Sequence, residues 1–110
     1  MTSAAVSMER AIYTCYGSNM PTISWFYGIS IRMFVSDHPP PHFHAYYESS
    51  VAVVLIETGE FTVGRLPPRI ARFVEQWRKQ YKDELMRVWD IAERGETGSL
   101  GRIPGLDEKA

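Results

Sequence analysis

In Ile29-Ser30-Ile31-Arg32-Met33-Phe34-Val35, then Ser36-Asp37-His38-Pro39-Pro40-Pro41, then His42-Phe43-His44-Ala45-Tyr46-Tyr47, two apolar-patterned runs flank a triple proline. In the first run every odd position is apolar, which at a side-chain period of two gives one continuous buried face. Ser30, Arg32 and Phe34 lie on the other face. The three prolines cannot continue a ladder because they lack the N–H it needs. Beyond them a second strand places Phe43, Ala45 and Tyr47 on one side and His42, His44 and Tyr46 on the other.

Working outward, Glu48-Ser49-Ser50 is a hairpin-sized break. Val51-Ala52-Val53-Val54-Leu55-Ile56 is apolar on both faces and reads as a central, doubly covered strand. Gly59 supplies the positive φ of the next turn, and Phe61-Thr62-Val63 is the strand after it. Such short connections make neighbouring strands antiparallel. The period then changes. Pro67-Pro68 suits the start of a helix. Leu66, Ile70, Phe73, Val74, Trp77 and Tyr81 recur at helical steps, and Leu85, Val88, Trp89 and Ala92 continue them. Two helices, broken near Lys82-Asp83 with Asp83 as N-cap, fit better than one, and Gly95 is the natural stop. Strands first and helices last predict an α+β domain: an antiparallel meander of three to four strands, then one or two C-terminal helices packed on one face. Ile31, Met33, Val53 and Leu55 are expected to meet Phe73, Trp77 and Trp89.

The 110 residues are one domain's worth of chain, and 45% hydrophobic with 23% charged is a globular balance rather than a disordered one. Twelve basic and thirteen acidic residues give a net charge of -1, which argues against a strongly basic nucleic-acid binder. No apolar run reaches the ~20 residues a membrane helix needs. Residues 1–19 break at Gly17-Ser18-Asn19 and read as an N-terminal extension without the features of a signal peptide. Residues 20–106 form the domain, and 107–110 a disordered tail, with Ile103 and Leu106 able to dock. Cys15 is the only cysteine, so no intrachain disulfide forms and a cytoplasmic location fits.

Met20-Pro21-Thr22-Ile23-Ser24, Gly28-Ile29-Ser30-Ile31-Arg32-Met33 and Asp37-His38-Pro39-Pro40-Pro41-His42-Phe43-His44-Ala45 resemble the bacterial "domain of unknown function 4160" family over about residues 20–106. Glu57-Thr58-Gly59, Leu66-Pro67, Trp77, Asp83-Glu84-Leu85 and Trp89 fall where that family's hallmarks are expected. The chain carries one more proline than the family's usual run. The resemblance implies a small bacterial protein. Some members are labelled transcriptional regulators or toxin–antitoxin components, and no catalytic residues carry over.

All three histidines of the chain lie within seven residues, as His38, His42 and His44, beside Asp37. His42, His44 and Tyr46 share a strand face, which Arg32 joins if the register allows. Three readings stand open. Asp37 caps the turn and the imidazoles bond to backbone left unpaired by the prolines. Or His42 and His44, with a third ligand, hold a divalent metal, although no metal or other cofactor is assigned. Or an imidazole acts as general acid or base while Arg32 steadies a phosphate. Arg65, Arg69, Arg72 and Lys79 fall near one helical line and are candidate phosphate contacts, while pairs such as Glu75–Lys79 and Asp83–Arg87 would make the same helix an ordinary solvated surface. Trp25-Phe26-Tyr27 and Tyr46-Tyr47 read as core and edge packing before a stacking platform.

With no complete catalytic set, the leading expectation is a non-enzymatic interaction or regulatory module that self-associates or binds another small protein through an open strand edge. A histidine-dependent hydrolase of RNA or another phosphate ester, of toxin–antitoxin type, is the alternative. A metal- or nucleic-acid-binding domain is the third expectation, and no membrane partner is expected.

Overall fold

A computed structural model describes residues 21–35, 37–95 and 101–108. The expected extension over 1–19, with Cys15, lies outside the described residues, as do Ser36 and the last two residues. Five strands come first: β1 Thr22–Phe26, β2 Ile29–Arg32, β3 His42–Tyr47, β4 Ser50–Leu55 and β5 Phe61–Gly64. Two helices follow, α1 Pro68–Gln80 and α2 Lys82–Glu93. The sheet runs β1-β2-β3-β4-β5 with every pair antiparallel. This is the expected α+β arrangement with one strand more. The addition is β1, whose Ile23 and Phe26 are fully buried while Trp25 is 55% exposed.

The β3–β4 turn sets which side chains meet the helices. Tyr47 pairs with Ser50, so the loop is only Glu48-Ser49, and Glu48 takes a left-handed φ of 53°. Odd residues of β3 therefore oppose even residues of β4, as Phe43 does Val54 and Ala45 does Ala52. Ala52, Val54 and Ile56 are buried, whereas Val53 and Leu55 are half-buried and Val51 is 42% exposed. This corrects two expectations. β4 is not covered on both faces, and Val53 and Leu55 are not the residues that meet the helices. The reason is architectural: the two helices follow one another and lie on a single side, and in a five-strand meander β3 takes the centre.

Trp77 of α1 anchors the covered face. Its ring lies 5.3 Å from that of Phe26 and 5.7 Å from that of Phe43, and its Nε1 donates to the Pro104 carbonyl at 2.9 Å. The segment after α2 is thus tied back to the core. Ile103 is buried and its N–H donates to the Ile23 carbonyl on the outer edge of β1. Glu108 receives Arg102 at 2.6 Å and the Gly105 N–H at 3.2 Å. Phe73, expected in the core, is half-buried and meets Tyr27 at 4.8 Å.

The helical break falls at Tyr81, whose φ is −115°, one residue before the expected Lys82-Asp83. Asp83 is not the cap. It sits with Glu84 in the first turn of α2, where negative charge favours the helix dipole. The expected pairs Glu75–Lys79 and Asp83–Arg87 give way to Glu75–Arg78 at 2.7 Å and Glu84–Arg87 at 3.7 Å.

Arg78 is 5% exposed, which composition alone does not suggest for a cation. It reaches the turn after β4, donating to the Ile56 carbonyl at 2.8 Å, while Glu75 takes its other nitrogens at 3.0 and 2.7 Å. A Cβ at Gly59 would strike Glu75 Oε1 and lie 2.7 Å from Arg78 Nε, and Gly59 holds a φ of +82°. The turn is therefore built around this guanidinium. Arg78→Ala is expected to lower the unfolding free energy by about 2–3 kcal/mol, since it orphans buried carbonyls. Arg78→Lys should recover only part of that, because an ammonium lacks the planar fork. Urea unfolding of both variants checks this.

Candidate functional site

The loop between β2 and β3 is closed by one side-chain pair. Asp37 Oδ1 accepts the His38 N–H at 2.8 Å, and Asp37 Oδ2 lies 2.8 Å from His42 Nε2. The other ring nitrogen, His42 Nδ1, lies 2.8 Å from the Pro40 carbonyl. Both nitrogens face acceptors, so the ring satisfies both only as an imidazolium that donates twice. Burial opposes that charge, but the Asp37 hydrogen bond, the Pro40 carbonyl and the Asp37 charge outweigh it and raise the His42 pKa above 6.5. Burial also opposes charge on Asp37, yet the bond and charge of His42 together with the His38 contacts pull its pKa below 3.8. Trp89 of α2 covers the ring at 5.2 Å.

His44, two residues on, behaves oppositely. Burial first, and then the charge on His42, push its pKa down to about 4. Its ring stands edge-on to Phe34 at 4.8 Å and lies 5.5 Å from that of His42, and Nδ1 is buried with no hydrogen-bond partner. At neutral pH His44 is uncharged. The register places Arg32 directly opposite His44 and Ser30 opposite Tyr46, so Arg32 does share their face. Its Nε donates to Ser30 Oγ at 3.1 Å and its guanidinium carbon stands 4.5 Å from the Tyr46 ring centre. Burial raises the Tyr46 pKa above 10, with Arg32 opposing, so the phenol stays protonated.

The six clustered candidates thus divide. Asp37 and His42 form an internal brace. His44, Tyr46 and Arg32 form a row on the sheet face that no described helix covers. His38 stands apart, with its side chain 88% exposed and Nδ1 3.3 Å from the Pro39 carbonyl. Among the described residues no three His, Cys, Asp or Glu side chains gather as a metal site would require. Arg65, Arg69, Arg72 and Lys79 are all exposed, and Arg69 lies 5.9 Å from the Phe73 ring.

Two features escaped the sequence reading. One is Arg78, although a signal existed: it sits four residues after Val74, on the apolar stripe of α1. The other is a cleft of about 260 Å³ lined by His38, Pro40, His42, Val53, Leu55, Thr62 and Val63. It joins residues of three segments, so only the strand register brings it together.

The family model for a domain of unknown function, DUF4160, matches residues 28–90. The chain belongs to this family. The match spans β2 to most of α2, and so contains the brace and the β2–β5 part of the sheet. No curated protein and no solved structure matches the chain. No described helix is long and apolar enough to cross a membrane.

The charges predict a pH profile. His42 has a raised folded pKa, so its contribution is whole below 6.5 and fades as pH rises through the folded value. Asp37 has a lowered one, so its contribution is whole above 3.8 and fades as pH falls through the folded value. The brace is strongest between those limits, and His42→Gln should forfeit that maximum. His44 works against it. Because it stays neutral when folded, the unfolded chain takes the proton first, and stability drops as pH falls from 6.5 towards 4. His44→Phe should remove that loss, on the order of 2–3 kcal/mol near pH 4. Urea unfolding from pH 4 to 8 reads both variants.

Proposed function

We propose that this member of the family is a non-enzymatic interaction module, cytoplasmic and regulatory in role, which binds another polypeptide through the β5 side of its helix-free face. One observation carries the reading: apolar side chains stand exposed on the uncovered sheet face, beside a strand edge that no described strand pairs. Val63 of β5 is 63% exposed and Val51 of β4 42% exposed, next to the apolar cleft formed by Val53 and Leu55. Unpaired edges and uncovered apolar patches are the usual material of protein contacts. The brace adds support, since Asp37 and Pro40 occupy both nitrogens of the charged histidine and leave it little to offer a substrate.

Random-peptide display against the immobilised chain tests this, with Val63→Lys as the counter-screen and sedimentation velocity of the free chain beside it. The expected result is an enriched sequence, or an oligomer of the chain itself, that weakens at least tenfold in Val63→Lys. Val63 is too exposed for that change to disturb the core. No enriched sequence together with a monomer at every concentration would overturn the reading.

A second reading, hydrolysis of RNA or another phosphate ester, draws on the opposite displacement of His42 and His44, the pattern of an acid beside a base. On that reading a panel of RNAs is cleaved by the parent chain and left intact by folded His44→Ala. Equal cleavage by both proteins, or none by either, ends it.

A further inference from the structure

Arg32, His44, Val53 and Val63 stand directly opposite one another from strand to strand, so one row crosses the sheet from β2 to β5 on the face opposite Trp77. Strands lie about 4.8 Å apart, which sets the ends of the row about 14 Å from each other. Arg32 is the only lysine or arginine in the five strands, and none of their residues is acidic. It is half-buried, and no described carboxylate pairs with it. Every other described lysine or arginine is ion-paired or exposed. A cation drawn out of water without a counter-charge is costly unless a ligand supplies one. The guanidinium is also held in place: Nε donates to Ser30 Oγ at 3.1 Å, and Cζ stands 4.5 Å from the Tyr46 ring centre. Nη1 and Nη2 donate to no described residue. Two such parallel donors match the two oxygens of a carboxylate.

We infer that the partner is a segment of another protein that lies across the strands, sets one carboxylate side chain on Nη1 and Nη2 of Arg32, and covers Val53 and Val63 with aliphatic side chains. This rests on the interaction reading above and names the chemistry and path of its partner. The surrounding charges leave room for one negative group. Asp37 is engaged by His42 and the His38 N–H, and the His42 charge balances its own. His44, uncharged at neutral pH, adds nothing. Glu48 lies four residues beyond His44, about 13 Å along the chain, and Glu60 stands before β5, three strands from Arg32. A lone guanidinium balances one carboxylate, whereas a polynucleotide calls for a track of cations, which the strands do not hold. The far end of the row is apolar, with Val63 63% exposed. An extended partner meets the whole row with an acid and an aliphatic residue four positions apart, both on one side at a period of two.

Selection of a random twelve-residue peptide library on the full chain tests this, followed by fluorescence anisotropy of the enriched peptides. These should share an aspartate or glutamate. Kd should rise at least tenfold when that residue is replaced by its amide, and at least tenfold for Arg32→Gln protein. The amide peptide with Arg32→Gln should bind no more weakly than either change makes it alone, because both remove the same contact. A merely structural role for Arg32 would make the two losses multiply. Arg32→Lys should keep part of the affinity, since an ammonium lacks the planar fork. Thermal unfolding checks that the variants fold; should Arg32→Gln fail to, Arg32→Lys and the amide peptide complete the same comparison. Losses that multiply, or enriched peptides without an acid, overturn the carboxylate contact, while the module reading stands if binding still responds to Val63→Lys. Displacement of the peptide by a single-stranded RNA that the Arg32→Gln chain does not bind would give the guanidinium to phosphate and overturn it too. An oligomer of the chain that dissociates in Arg32→Gln would make a second copy the occupant and overturn another protein as the partner. If nothing is enriched and the chain stays monomeric, this inference and the module reading both fall.

Discussion

Everything in the described structure leans on the burial of Trp77. The side chain is wholly enclosed, touches Phe26 from β1 and Phe43 from β3, lies 6.0 Å from Tyr81 at the helical break, and donates to Pro104 beyond α2. One indole therefore couples the sheet, the joint between the helices and the returning C-terminal segment. Burying a side chain of this size stabilises by roughly 1.5–3 kcal/mol relative to exposure, and its N–H would cost more if left unpaired. Apart from Trp89, whose ring lies 5.2 Å from that of His42, the helices meet the sheet on this side, and Val51 and Val63 on the other stay exposed.

The polar side chains follow the same division. Arg78 and the Asp37–His42 brace are charges taken out of water, and each is matched by acceptors that close a turn: Arg78 the one after β4, and His42 the proline loop before β3. Histidines two residues apart on one strand thus have different fates. His42 meets a carboxylate and a carbonyl and holds its proton. His44 meets Phe34 and the charge of its neighbour, and loses it. The family match covers both residues and the face they share, so the brace is best understood as what holds the proline loop beside the open cleft.

The order of elements, the proline break, the apolar period of each segment and the gathering of three histidines are local properties, because they depend on neighbours a few residues apart. The α+β class, the two helices and the stop at Gly95 were legible for the same reason. Which face of β4 is buried depends on register and on the helices, since a loop of two residues rather than three exchanges odd for even across the pair. Tertiary structure alone brings Asp37 to His42 and sets Arg32 opposite His44. Those outcomes depend on register and on which single side the helices cover, which are long-range choices that no local period encodes. β1 escaped notice because Trp25-Phe26-Tyr27 is apolar without alternation, and Arg78 because a cation on an apolar stripe makes sense only once the carbonyls it reaches have been brought to it.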